Sequence, residues 1–150
     1  MWIQTHSTLL THPKLFRLMS LMNWDADIAV AKLLRFWLWC LDYAPDGDLR
    51  RFNSTELGTA VGLSGEQAEH FPKAMIQAGF LDDTPYFRVH DWWDYGGPLL
   101  RARHKRNPHV WKHIRDLYEG KYSNGTDDQC EEYSITSNPQ SDGYSKGIHT

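Results

Sequence analysis

Cysteine is nearly absent from these 150 residues: only Cys40, inside an apolar run, and Cys130, in a polar stretch, are present. Two cysteines so placed signal neither a disulfide framework nor a thiolate metal site, and a reducing cytosol suits such a chain. Long hydrophobic runs are missing as well. The densest, LLRFWLWCL, is nine residues long and contains Arg35, well short of the roughly twenty that a membrane-spanning helix needs. The opening MWIQTHSTLL lacks the charged, apolar and small-residue stages of a signal peptide. There is no glycine-rich phosphate loop, nucleophile elbow or zinc-protease motif, so no enzymatic activity is expected.

What the chain has in excess is tryptophan. Seven Trp and a hydrophobic share of 41% predict one small core built largely of aromatics, filled by Trp37, Trp39, Trp92, Trp93 and Trp111, because few other residues are left to build it. The competing reading is that part of this aromatic surface is a homo-oligomer contact, since Trp and Tyr are favoured at interface centres. Charge is uneven although the formal net is only -3. Residues 1–98 hold eight Lys/Arg against twelve Asp/Glu, residues 99–122 seven against two, and residues 123–150 one against five. A basic block therefore lies between two acidic ones.

Pro13 suits a first helical position, with Thr11 or His12 as cap and Leu15, Met19 and Met22 at helical spacing. Asp25 caps a longer helix that runs until Pro45, Asp46 and Gly47 force a turn. Apolar residues on several of its sides, Leu33, Phe36 and Trp39 among them, predict a central helix buried nearly all round. GDLRRF supplies a short strand, and Asn53 with Glu56 forms a capping box for the next helix, which ends at Gly62. Ser64 with Gln67 opens another by the same device, and Gly79 stops it. FLD and YFRVH read as strands around a turn at Asp83, Thr84 and Pro85. Helices are thus predicted over 13–22, 25–43, 54–61 and 65–78, with a hairpin across 80–90. Asn107 and Pro108 start a last helix whose apolar face, Val110, Trp111, Ile114, Leu117 and Tyr118, should dock on the rest. From Ser123 the chain is polar and aperiodic, the pattern of a disordered acidic tail. The fold class expected is mostly α with a small β-hairpin, a winged helix-turn-helix with an added C-terminal helix.

The stretches MWIQTHSTLLTHPKLFRL, LLRFWLWCLDYAPDGDL and LGTAVGLS, followed by AMIQAGFLDD and FRVHDWWDY, together resemble the N-terminal winged-helix domain of phage replisome organisers and DnaD-like primosomal proteins. The resemblance spans residues 1–96. It implies a role in starting replication or loading a helicase on phage or prophage DNA, in the cytoplasm of a bacterial host, through DNA contacts and self-association. Residues 97–122 then form a basic segment with the C-terminal helix, and 123–150 the tail. Double-stranded DNA is the expected partner, with replisome or helicase-loading proteins beside it. A winged-helix protein-interaction module of the replisome that does not bind DNA, or a small transcription regulator, are the alternatives.

In a helix-turn-helix the second helix lies in the major groove. Here it offers Gly65, Glu66, Glu69, His70, Lys73 and Gln77, of which His70, Lys73 and Gln77 are candidate DNA contacts. Its two glutamates repel phosphate, and Pro72 predicts a break or kink near His70 and Phe71. Arg101, Arg103, Lys105 and Arg106, with Lys112 and Arg115 one and two turns further on, are better phosphate contacts, although such a block is also what a solvated linker looks like. His109 and His113, four apart with His104 before them, lack a carboxylate or thiolate at metal-site spacing, so no metal or other cofactor is expected. Asp82, Asp83, Asp91 and Asp94 read as wing and loop residues rather than an acid/base pair.

Overall fold

A computed structural model describes residues 5–120. The stretch read as an acidic tail, 123–150, lies outside the described residues. The described chain is mostly helical: a 3-10 segment, Ser7–Thr11, then α1 (Pro13–Met22), α2 (Ala26–Tyr43), α3 (Ser54–Ala60), α4 (Gly65–Ala78), a hairpin of β1 (Leu81–Asp82) and β2 (Arg88–Val89), α5 (Trp92–Arg103) and α6 (Pro108–Tyr118). The strands pair antiparallel, Leu81 opposite Val89 and Asp82 opposite Arg88.

Three of the six α-helix starts use the caps that the residues predict. His12 Nδ1 accepts from the Lys14 N–H at 3.1 Å, Asp25 Oδ1 from the Ile28 N–H at 2.8 Å, and Asn53 and Glu56 exchange both capping-box bonds at 2.8 Å. Ser64 and Asn107 occupy the cap positions of α4 and α6 but make no side-chain bond, so the second capping box is not formed and Asn107 caps α6 by position alone. Gly79, at φ 93°, closes α4. The strand expected in GDLRRF shrinks to one bridging residue, Asp48, opposite Arg88, with Val89 N–H on the Gly47 carbonyl and Leu49 N–H on that of Phe87.

Three sequence expectations are corrected. The break expected in α4 does not occur, and the helix is continuous through Pro72, which is buried. Losing one backbone bond there is outweighed by packing α4 against α1 and α3. The helix α2 is not buried all round: Ala29, Leu33, Phe36, Cys40 and Leu41 face the core, while Ile28, Ala31, Arg35, Leu38 and Asp42 form an exposed stripe. Burial also pushes the Cys40 thiol pKa well up, as expected of an inert core cysteine. Finally, the core is mainly aliphatic. Leu15, Leu18, Leu33, Leu49, Leu57 and Leu100 are fully buried around Phe36 and Phe71, and of the five core tryptophans only Trp92 is buried. Trp37, Trp39, Trp93 and Trp111 are half-buried at the edge of this core, where a large ring covers apolar surface while its N–H stays near water.

The stretch DWWDYGGP becomes the start of α5, which runs on without interruption through Gly96, Gly97 and Pro98 into the basic stretch. The division at residue 96 therefore falls inside a helix. Its glycines make room rather than end it: a Cβ at Gly96 would lie 2.7 Å from the Trp92 indole, and one at Gly47 2.8 Å from the same ring. Wedged between them, Trp92 donates Nε1–H to the Pro45 carbonyl at 2.8 Å and pins α5 to the turn after α2.

Candidate nucleic-acid interface

Two surfaces hold the residues singled out for DNA contact. The first is α4, held by its neighbours at a short turn. Gly58 lets α3 and α4 approach until backbone meets backbone, and Lys32 of α2 donates Nζ–H to the Val61 carbonyl at 2.7 Å, satisfying the end of α3. With Ala68, Phe71, Pro72, Ala74, Met75 and Ala78 inward, the residues singled out for the groove, Gly65, Glu66, Glu69, His70, Lys73 and Gln77, are all exposed, as is Gln67. His70 is not wholly free. Its Nε2–H donates to the Leu21 carbonyl at 3.2 Å, tying α4 to α1. The face thus presents two carboxylates against one ammonium, a poor match to phosphate.

The second surface is the end of α5, the following turn and the outer side of α6. Arg101, Lys105, Arg106 and Lys112 are exposed, with no carboxylate partner among the described residues. Arg103 differs. It donates to the Leu41 carbonyl at 3.0 Å and pairs with Asp42 at 2.9 Å, which commits it to the C-terminal end of α2. Arg115 is half-buried, with Asp116 at 3.7 Å and Glu119 at 3.9 Å, so its charge is answered within α6 and its flank.

The corner has a firm base. Trp93 stacks on Trp111 at 4.9 Å and on Tyr118 at 5.0 Å between ring centroids, the planes within 21° and 19° of parallel. With the buried Ile114 this docks α6 against α5. His109 and His113 lie exposed one turn apart, and His104 is half-buried, its pKa lowered by burial and by Arg103. Among the described residues no group of three His, Cys, Asp or Glu could hold a metal.

Sequence reasoning passed over a third cationic group, around the hairpin. Arg50 and Arg88 both lie on the Tyr86 ring, at 4.5 and 5.3 Å, and Arg51 packs on Phe52 at 5.3 Å. The paired arginines of GDLRRF were the available signal. They are offset locally: Arg50 pairs with Asp48 at 2.7 Å, Arg51 with Asp46 at 3.6 Å and Arg88 with Asp82 at 3.6 Å. Their carboxylates respond in opposite directions. Burial raises the Asp46 pKa, whereas at Asp48 the upward push of burial is overcome by the bonds from Arg50 and the pKa falls.

No protein-family model, curated protein or solved structure matches the chain.

Proposed function

We propose that this chain is a non-catalytic DNA-binding protein of phage or prophage replication initiation, a replisome organiser or helicase-loading accessory built on a winged helix-turn-helix. The order of two helices, a bridging residue, two closely crossed helices and a hairpin supports the winged-helix reading, with Asp48 beside Arg88 as the vestige of a third strand. The replication role rests on the sequence motifs that resemble replisome organisers. One observation carries DNA binding: Arg101, Lys105, Arg106 and Lys112 are exposed around the α5–α6 turn with no carboxylate partner among the described residues. Uncompensated, closely spaced cations attract the phosphate backbone whatever its sequence.

The specific observation favouring a second reading, a protein-interaction module of the replisome, is the Glu66 and Glu69 pair on the face of α4 that would enter the groove. Glutamate helps base readout only by accepting from a cytosine amine.

A titration of labelled duplex DNA with the full chain over a range of salt separates the two. If the four cations meet phosphates, the log of the binding constant falls against log salt with a slope of about -3 to -4, at about 0.9 per contact. Changing Arg101, Lys105, Arg106 and Lys112 together to Ala should flatten that slope and weaken binding to every sequence alike, whereas Lys73→Ala and Gln77→Ala should alter sequence preference more than affinity. Absence of binding at low salt by the unmodified chain would favour the protein-interaction module.

A further inference from the structure

Between the 3-10 segment, the start of α1, α2, the hairpin and α5 the chain encloses a cavity of about 230 Å³. Its walls are mainly apolar, with the aromatic Trp37, Phe80 and Trp92 beside the aliphatic Leu9, Leu41 and Leu99. Trp37 and Phe80 meet edge to face, with centroids 6.2 Å apart and planes at 66°, an arrangement into which a further ring packs well. A cavity of about 150 Å³ accepts benzene, so this one has room for one ring and a short side chain.

The polar groups at its edge are unequal. His90 is held between Asp82 at 2.9 Å and Asp91 at 3.1 Å, and His6 lies edge-on to Tyr95 at 6.0 Å. Lys14 differs: it lines the cavity, half-buried, its stem crossing Gly79, with no carboxylate partner among the described residues. Beside it, His12 uses Nδ1 to accept the Lys14 backbone N–H at 3.1 Å. That bond leaves the proton on Nε2, a donor at the same rim.

We infer that this cavity is a binding site for a small aromatic monocarboxylate, whose ring occupies the apolar walls between Trp37, Phe80 and Trp92 and whose carboxylate meets Lys14 and His12. One ammonium and one imidazole N–H match a single negative charge. The Thr5 and Thr8 hydroxyls that also line the cavity are neutral and add no charge to match a second negative one. The inference is independent of DNA binding, since none of its residues belongs to the cationic corner.

Calorimetric titration of the full chain with phenylacetate and 3-phenylpropionate, alongside their neutral amides, tests it, with Trp fluorescence as a second readout. Saturable one-to-one binding of an acid is expected, about tenfold or more tighter than its amide, the usual range for a hydrogen bond to a charged group. Lys14→Met, which keeps the stem and removes the charge, should abolish the preference for the acid while leaving the binding of the amide in place. Leu9→Trp, which fills the cavity from its rim, should abolish both. Each variant is first shown to melt cooperatively. No saturation with either acid by about 10 mM, equal affinity for acid and amide, or a preference that survives Lys14→Met would each overturn the inference.

Discussion

Gly58 of α3 lies directly against the backbone of Ala68 in α4: a Cβ at position 58 would stand 2.3 Å from the Ala68 Cα and 2.5 Å from its carbonyl oxygen. The two helices therefore cross as closely as their main chains permit, and the obstructing atoms are backbone, which cannot swing aside.

Gly58→Ala is accordingly expected to destabilise the fold. Overpacking of this kind costs about 1–3 kcal/mol, more than the roughly 1 kcal/mol that alanine gains over glycine in a helix. Thermal melting should show a Tm lower by several degrees, at about 4–8 °C per kcal/mol for a small domain. Gly65→Ala is the comparison: Gly65 has φ 59° but open space around it, so only the left-handed backbone, about 1–2 kcal/mol, opposes the change. A Gly58→Ala protein as stable as the parent would show that α3 and α4 cross further apart.

Arg103 and Arg101, two residues apart, should separate stability from binding. Arg103→Ala removes the tie to the Leu41 carbonyl and Asp42 and is expected to lower stability by about 0.5–1.5 kcal/mol, since the pair is partly exposed. Arg101→Ala should leave stability within about 0.5 kcal/mol while weakening DNA binding. Denaturant melts and DNA titrations on both variants check this, and equal stability losses would refute it.

Trp93→Ala should release α6. The ring is the common partner of Trp111 and Tyr118, and removing it takes away aromatic contacts worth about 0.5–1.5 kcal/mol each beyond area burial. Amide hydrogen exchange should quicken across 108–118 and stay slow across α4, whose contacts are with α1 and α3. Uniformly faster exchange throughout the chain would mean that α6 does not come away independently.

Acid should act on Asp46 and Asp48 with opposite sign. The Asp46 pKa is raised in the fold, chiefly by burial, so the folded state holds that proton more tightly than the unfolded chain. Stability then increases as pH falls through the raised folded value toward the ordinary one near 3.8. At Asp48 the upward push of burial is outweighed by Arg50 and the pKa is lowered, so its contribution is full above the ordinary value and is lost as pH falls through the lower folded one. The Asp46→Asn protein, still able to accept from the Asp48 N–H at 3.2 Å, should exceed the parent in stability at neutral pH, with the gap closing on acidification. Asp48→Asn should be less stable than the parent at neutral pH, with the gap likewise closing in acid. Urea melts across the acidic range measure both differences, and a gap that does not change with pH would discard the assignment.

Much of this architecture follows from local chemistry that a single strand of text carries. His12 and Asp25, the Asn53 and Glu56 pair, and Gly79 set helix limits through bonds spanning a few residues, and those limits need no knowledge of the rest of the chain. The exposed face of α4 was legible for the same reason, since period and composition alone assign Glu66, Glu69, His70, Lys73 and Gln77 to one side. Charge counting likewise located the basic block of residues 99–122.

Tertiary structure decided the remainder, because those outcomes depend on residues distant in the chain. Pro72 stays inside an intact helix since α1 and α3 hold α4 on both flanks. Gly96 and Gly97 extend α5 because the indoles of Trp92 and Trp93 fill the space that side chains would take. Arg103, indistinguishable from Arg101 in sequence, is drawn out of the cationic corner by an Asp42 some sixty residues earlier, while the cavity beside Lys14 exists only where five separate elements meet. Local bonding and periodicity determine which segments are helices and which of their faces turn outward. Which charges remain unpaired, and which apolar walls fail to close on one another, is settled only when those faces pack.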